Sequence, residues 1–184
     1  MSEYNFNGSF ESINSEEKPQ ADNIAAWVKR VVDPDKVIDL GCGPGTYVYS
    51  LRDQGIEAFG YDLDPRVKGQ PFLEHKNILE VKDQGDVVMC IEVAEHIEPK
   101  FSQDIVDKVY DTLKEDGVLI WTAAHLGQGG VDHINCRPKE YWEKKFKDKG
   151  LIRCQTLENQ LLTQVKQSIH LGWFTMNLLV FYKA

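Results

Sequence analysis

The sequence has no paired cysteines. Its four cysteines, Cys42, Cys90, Cys136 and Cys154, are scattered, and no two of them form a Cys-x-x-Cys pair. Such pairs are typical of structural zinc sites, so we do not expect one here. Scattered single thiols suit a reducing compartment, and we predict a cytoplasmic protein.

The sequence also lacks long apolar runs and an excess of positive charge. No stretch approaches the length of a membrane span and no signal peptide is visible, so we predict no membrane association. The 29 acidic residues outnumber the 21 basic ones, giving a formal net charge of −8. Such a surface repels phosphates, which argues against a nucleic-acid substrate. The one basic cluster, around residues 139–149, alternates with acidic residues, as solvated helix faces do.

The chain does have the length and apolar content of one domain, with 184 residues of which 42% are hydrophobic. Residues 1–20 are polar and acidic but include Tyr4, Phe6 and Phe10. We predict that residues 1–20 form a flexible segment or a lid over a binding cleft, and that residues 21–184 form a single domain.

A glycine-rich turn follows the first predicted strand. The apolar run at residues 37–40 predicts a buried strand, and a helical pattern begins at residue 46. Between them, Gly41, Gly43 and Gly45 alternate with other residues, and glycine tolerates the positive φ angles of sharp turns. A strand, a glycine turn and a helix N-terminus together present backbone N–H groups to a nucleotide-like ligand.

The residues around this turn indicate which nucleotide it binds. The dinucleotide pattern Gly-x-Gly-x-x-Gly requires glycine or alanine where Thr46 stands, which disfavours a nicotinamide-dependent Rossmann enzyme. Asp39 lies just before the turn, where a carboxylate suits a ligand with a positive charge, such as an α-amino group. A pyrophosphate would be repelled there.

The run Asp39-x-Gly41-x-Gly43-x-Gly45 resembles the first motif of the class I S-adenosylmethionine-dependent methyltransferases. Asp62, at the end of the second predicted strand, matches the acidic residue that accepts hydrogen bonds from a ribose. The resemblance extends to residue 122, through a fourth strand with an active-site edge at residues 86–97 and a helix, turn and fifth strand at residues 113–122.

The resemblance implies an α/β fold, a doubly wound Rossmann-like sheet of seven mostly parallel strands with the last strand antiparallel between the fifth and sixth. The alternation of strand and helix patterns independently predicts a doubly wound α/β sheet. Gly117 is expected to end the helix before the fifth strand. The predicted helices are 21–32, 46–53, 101–113, 138–149 and 158–170, and the predicted strands are 37–40, 57–61, 71–75, 86–91, 118–122, 151–156 and 174–182.

The resemblance also implies S-adenosyl-L-methionine as cofactor and S-adenosyl-L-homocysteine as product. Asp39 and the glycines would hold the methionine end, and Asp62 the ribose. Residues after the third strand would flank the adenine. The implied cofactor-binding residues are Asp39, Gly41, Cys42, Gly43, Gly45, Tyr47, Asp62, Leu63, Asn77, Ile78, Ile91, Glu92, Val93 and His96.

The loop after the fifth predicted strand, residues 125–135, carries the candidate catalytic groups. It resembles a Gly-Gln-Gly-Gly-x-x-His-x-Asn loop found in small bacterial and phage methyltransferases of unassigned substrate. We predict His133 as a base or substrate-orienting group, with His125 second. The alternative for each is a loop histidine bonded to backbone. Two histidines with Asp132 could hold a metal ion, but their spacing matches no usual ligand pattern, so we predict none.

These residues predict methyl transfer to a small molecule, sugar or metabolite. Oxygen is favoured over nitrogen as acceptor, because a hydroxyl nucleophile needs a general base and a histidine-bearing loop is available. Two alternatives remain: methylation of a protein or nucleic acid, and a module that binds S-adenosylmethionine without transferring its methyl group.

Overall fold

The structure is a computed structural model that describes residues 10–166 and 171–184, with side chains from residue 14 onwards. None of the helices in these ranges is both long and apolar enough to cross a lipid bilayer. The helices are α1 (Phe10–Trp27, continued by a π-helix at Val28–Val32), α2 (Thr46–Asp53), α3 (Ser102–Thr112), α4 (Lys139–Lys149), α5 (Gln155–Val165) and α6 (Gly172–Asn177). The strands are β1 (Lys36–Leu40), β2 (Glu57–Asp62), β3 (Leu73–His75), β4 (Gly85–Ile91), β5 (Leu113–Thr122), β6 (Leu151–Arg153) and β7 (Leu179–Lys183).

The strands form one seven-stranded sheet in the order β3-β2-β1-β4-β5-β7-β6. Strands β1 to β5 pair in parallel, whereas β7 runs antiparallel to both β5 and β6. The predicted fold is therefore confirmed, including the position of the last strand between the fifth and the sixth.

Both faces of the sheet are covered, which explains why the central strands read as unbroken apolar runs. Alternate residues of β4 point to opposite faces, so that Met89 joins one buried cluster with α1, α2 and α5, and Val88 joins the other with α3 and α4. The helices thus shield the flanks of the sheet and leave the ends of its strands for a binding site.

The boundary between α3 and β5 differs from the prediction. The helix ends at Thr112, and β5 begins at Leu113, so Gly117 lies inside the strand and does not terminate the helix. A Cβ at Gly117 would lie 2.7 Å from the carbonyl oxygen of Lys114. This glycine is required by a close backbone approach beside the irregular pairing of β4 with β5.

The predicted last strand is wrong over its first five residues. Residues 174–177 belong to α6, and β7 begins only at Leu179. Phe174, Asn177 and Leu178 are buried at positions i, i+3 and i+4, which is a helical spacing within an apolar stretch. Strand β6 is shorter than predicted and α5 begins earlier, at Gln155, while the predicted end of that helix at residues 167–170 lies outside the described residues.

The helix before β1 is longer than the predicted one, because α1 begins at Phe10. The division between residues 20 and 21 therefore falls inside a helix. Gln20 is fully buried, and its side-chain amide donates to the Tyr47 hydroxyl at 3.0 Å and accepts from the Leu171 N–H at 3.0 Å. Tyr4, Phe6 and the side chain of Phe10 lie outside the described residues, so the lid stays a prediction.

Candidate functional site

The carboxyl ends of β1, β2, β4 and β5 meet at one edge of the sheet, where ligands bind in open α/β folds. Acidic side chains are concentrated there. Asp39 lies in β1, Asp62 ends β2, and Glu92 directly follows β4. The parallel pairing brings these three segments side by side, as the sequence predicted.

The glycine turn between β1 and α2 has the predicted conformation. Gly41, Gly43 and Gly45 have φ angles of 83°, 50° and 84°. A Cβ at Gly41 would lie 2.4 Å from a methyl group of Val93, so the turn needs glycine for space as well as for its backbone angle. A Cβ at Gly43 would meet no atom within 4 Å, which leaves that part of the backbone open to a ligand.

Asp62 fixes the turn by accepting hydrogen bonds from the backbone N–H groups of Gly43 and Asp64, each at 2.8 Å. Burial raises its pKa, although these two hydrogen bonds oppose the shift. Each carboxylate oxygen has a second lone pair, so Asp62 retains acceptor capacity for a ligand.

Asp39 is 2% exposed, and its Oδ2 has no hydrogen-bond partner among the described residues. Burial, followed by the charge of Asp62, raises its pKa to about 8. Glu17 reaches the same region from α1, and burial together with the charge of Glu92 raises its pKa to about 7. The sequence offered no reason to select Glu17, because it lies in the segment that we predicted to be flexible.

These shifts have one physical origin, because buried carboxylates that face each other resist ionisation. A positively charged ligand would relieve both the burial cost and the mutual repulsion. The edge of the sheet at the glycine turn is therefore suited to a cation, and its open backbone is suited to close approach by a ligand.

The remaining predicted cofactor-binding residues lie in the glycine turn and α2, after β2, after β3 and at or after the end of β4. Cys42 and Tyr47 are each 5% exposed, and the Tyr47 hydroxyl bonds Gln20, so these two side chains form part of the core beneath the turn. Leu63 is 41% exposed at the end of β2. After β3, the Asn77 side chain accepts a hydrogen bond from the Leu79 N–H at 3.0 Å. Two apolar residues of the predicted cofactor-binding set, Ile78 and Ile91, are buried.

Glu92 belongs to a polar network that the sequence predicted only in part. Its backbone has a φ of 52°, and its N–H donates to the Thr122 hydroxyl at 3.0 Å. Its carboxylate accepts from the amides of Gln128 at 2.5 Å and Asn177 at 3.0 Å. Nδ1 of His125 lies 3.0 Å from the side-chain amide oxygen Oδ1 of Asn177. Asn177 was missed because it lay in a predicted strand.

His133, the other predicted catalytic histidine, belongs to a different cluster. Its ring lies edge-on to that of His96, with centroids 4.9 Å apart. Burial, followed by the nearby His133, lowers the pKa of His96, which favours the neutral ring. The third member is Glu95, which is fully buried and whose pKa is raised to about 9 by burial and by the charge of Glu92. The two candidate histidines therefore have different partners.

We expect Asp39→Asn to stabilise the chain in the absence of ligand. The Asp39 carboxyl has a pKa of about 8 when folded and an ordinary value of 3.8, so the folded state binds its proton more tightly. Its contribution to stability is therefore greatest below pH 3.8 and declines as pH rises towards 8. Asparagine has no such titration, so urea unfolding should show Asp39→Asn to be more stable than the wild type at pH 8, by a margin that shrinks by about 1 kcal/mol per pH unit as the pH falls towards 5.

The matched control for this substitution is Asp53→Asn, because the Asp53 side chain is 70% exposed and its loss changes the net charge equally. A stability profile of Asp39→Asn between pH 5 and 8 that parallels the wild type would contradict the assignment of buried, repelling carboxylates.

Comparison with known families gives one match over most of the chain: the model of a family described as "Methyltransferase domain" matches residues 16–166. A ubiquinone biosynthesis O-methyltransferase of Leptothrix cholodnii is 30% identical over 90 residues, covering 39% of this chain and 38% of that protein. A ubiquinone biosynthesis O-methyltransferase of Acinetobacter baumannii is 26% identical over 122 residues, covering 58% of this chain and 46% of that protein. The chain thus spans less than half the length of these relatives.

Solved structures match over nearly the whole chain. A sugar N-methyltransferase from Streptoalloteichus sp. superposes with a TM-score of 0.68 at 14% identity, covering 100% of this chain and 96% of that one. A SAM-dependent methyltransferase from Archaeoglobus fulgidus superposes with a TM-score of 0.63 at 16% identity, covering 94% and 99% respectively. At these identities the likeness establishes a shared Rossmann-like fold.

Proposed function

This chain belongs to the methyltransferase domain family, and from that premise we propose that it transfers a methyl group from S-adenosylmethionine to a small molecule. The fold and the glycine turn support a nucleoside cofactor at the carboxyl edge of the sheet. The named S-adenosylmethionine dependence of the Archaeoglobus structure supports the same cofactor.

The observation that carries the proposal is the cluster of acidic groups around the turn, of which Asp39 is buried and Asp62 and Glu17 are half-buried. Asp39 has a buried carboxylate oxygen without a partner among the described residues, and the pKa values of Asp39, Asp62 and Glu17 are all raised by burial. S-adenosylmethionine carries a sulfonium and an α-ammonium group. Two positive charges fit this pocket, whereas a pyrophosphate would be repelled.

In this proposal, Asp39 binds the α-ammonium group, and the open backbone at Gly43 lies against the cofactor. Asp62 accepts hydrogen bonds from the ribose hydroxyls with its remaining lone pairs. Asn77 and Ile78 flank the adenine. The other proposed cofactor-binding residues are Gly41, Cys42, Gly45, Tyr47, Leu63, Ile91, Glu92, Val93 and His96.

The bound cofactor supplies a methyl group on a good leaving group, so the protein has to align the acceptor and exclude water. We propose a hydroxyl acceptor, with His133 as the base or orienting group and His125 second. The O-methyltransferase names of the relatives support oxygen, and the sugar N-methyltransferase supports nitrogen as the alternative.

The net charge of −8 supports a small molecule over a nucleic acid. All four cysteines are free, in keeping with a cytoplasmic protein.

We expect S-adenosylhomocysteine to raise the melting temperature of the full chain, while NAD leaves it unchanged. A ligand at 100 times its Kd adds about 2.7 kcal/mol. For a domain of this size each kcal/mol corresponds to roughly 2–4 °C, so a shift of about 5–10 °C should appear in differential scanning fluorimetry. A larger shift with NAD would support the Rossmann dehydrogenase alternative and refute the proposal.

Release of S-adenosylhomocysteine from S-adenosylmethionine, measured against a panel of hydroxyl- and amine-bearing small molecules, then separates an enzyme from a binding module. The chain could bind the cofactor tightly, methylate no small molecule of the panel and yet methylate a protein or RNA fraction. That result would show that the acceptor is a macromolecule.

A further inference from the structure

Three side chains beside the proposed cofactor pocket form a ligand set of the kind that binds metal ions. They are Glu95, His96 and His133, and their candidate ligand atoms all lie within 4.8 Å of one another. We propose that these three residues bind a divalent transition-metal ion. The site shares His96 and His133 with the proposed methyl-transfer site, but metal binding is measurable without methyl transfer.

Glu95 gives the strongest reason to infer an ion. The residue is 0% exposed, and neither of its carboxylate oxygens has a hydrogen-bond partner within residues 14–166 and 171–184. Buried carboxylates in proteins are paired, hydrogen-bonded or bound to metals, because an isolated buried charge is costly. A divalent cation would satisfy both oxygens, in place of the weak contacts that the Ala124 N–H and the Glu92 carboxyl make with this carboxylate.

His133 presents a second unsatisfied atom to the same place. Its Nδ1 is buried and has no hydrogen-bond partner among the described residues. The opposite edge of the ring, which carries Nε2, packs against Gly130, where an added Cβ would lie 2.2 Å from it. This packing fixes the ring, so Nδ1 is the nitrogen assigned to the metal.

His96 is oriented as metal-binding histidines are. Its Nδ1 lies 3.3 Å from the backbone carbonyl oxygen of Asp132, a hydrogen bond that fixes the tautomer and assigns ligation to Nε2. The loop that carries His133 is held in place by the backbone carbonyl oxygen of Glu95, which accepts hydrogen bonds from the N–H groups of Ile134 and Asn135, each at 2.9 Å. The backbone thus holds His133 against the segment that carries the other two ligands.

The donor set indicates the class of metal. Two imidazoles and one carboxylate suit Zn²⁺, Co²⁺, Mn²⁺ or Fe²⁺, whereas Mg²⁺ prefers an all-oxygen shell. Ligand bonds of about 2.0–2.2 Å hold donor atoms closer together than the present spacing, so side-chain rotations would contract the cluster on binding. Three protein ligands leave a position for water or, if the proposed function holds, an acceptor oxygen.

The test is titration of the EDTA-dialysed full chain with Co²⁺, followed by its visible absorption and by calorimetry. We expect one ion per chain, with Mg²⁺ binding far more weakly. Glu95→Gln and His133→Ala should each weaken Co²⁺ binding by about 100-fold or more, since even changes beside a metal ligand cost about 10–100-fold. The control is His75→Gln, because His75 is an exposed histidine whose ring bonds the Leu63 carbonyl oxygen.

Glu95→Gln also guards against misfolding as an explanation, because the amide keeps the shape of the side chain and removes only the carboxylate that would ligate the metal. The variant should melt no lower than the wild type without metal and should lose the stabilisation that Co²⁺ gives the wild type. Three results would overturn the proposal: no stoichiometric binding, equal affinity for Mg²⁺ and Co²⁺, or equal weakening in His75→Gln.

Discussion

Asp62→Ala should reduce the affinity of the full chain for S-adenosylhomocysteine by at least about 100-fold, to below detection in calorimetry. The reason is that two ribose hydroxyls would each lose a hydrogen bond to a charged acceptor, worth about 1.5–3 kcal/mol apiece. A loss of about 3 kcal/mol or more corresponds to more than 100-fold in Kd. The substitution also frees the Gly43 N–H, which Asp62 now holds at 2.8 Å.

Two variants make this result interpretable. Asp62→Asn keeps one acceptor oxygen at the same position and should bind with intermediate affinity. Asp53→Ala removes an exposed acidic residue from the end of α2 and should bind as the wild type does. If Asp62→Ala retains wild-type affinity, the proposed position of the ribose is wrong. Thermal melting of the unliganded variants, compared before titration, distinguishes lost contacts from a collapsed turn.

His133→Ala should lower turnover by about 100-fold or more and change the affinity for S-adenosylhomocysteine by less than about threefold. A positioned base typically contributes about 10²–10⁴ to the rate. His133 lies in the loop after β5, outside the glycine turn that we propose for the cofactor. Steady-state kinetics with an accepted substrate, combined with calorimetry, measure both quantities on the same preparation. Unchanged turnover would exclude His133 from the reaction.

The same variant separates two roles for His133. If the ring accepts a proton, added imidazole should restore part of the activity. If the ring ligates a metal ion, a raised Co²⁺ concentration should restore activity and imidazole should not. His125→Ala is the companion variant, because His125 bonds Asn177 in the separate network around Glu92.

The first half of the fold was predictable because each signal is local. The apolar run of β1, the alternating glycines and the pattern of α2 are contiguous, and the bounds of α2 were predicted to the residue. The end of the chain was harder, because the stretch from Phe174 to Tyr182 is mostly apolar, and a short buried helix and a buried strand then look alike. Only packing against the rest of the core decides between them.

In the site, too, residues with a local sequence signal were predictable and residues placed by tertiary packing were not. Asp39 and Asp62 stand at fixed places relative to strands, so their proximity could be predicted from topology. Glu17 and Asn177 are distant in sequence from the glycine turn, and tertiary packing alone brings them to it. Glu95 lay in a run that was recognised, but its complete burial and unpaired oxygens are properties of the folded chain.

One buried amide joins two segments at opposite ends of the sequence. The side chain of Gln20 bonds the Tyr47 hydroxyl beneath the glycine turn and the backbone of Leu171 just before α6. Gln20 lies in the second half of α1, and that half cannot move away from the turn without breaking both bonds. Because α6 follows Leu171 and ends at Asn177, the same amide ties the helix beside the glycine turn to the segment that supplies Asn177 to the Glu92 network.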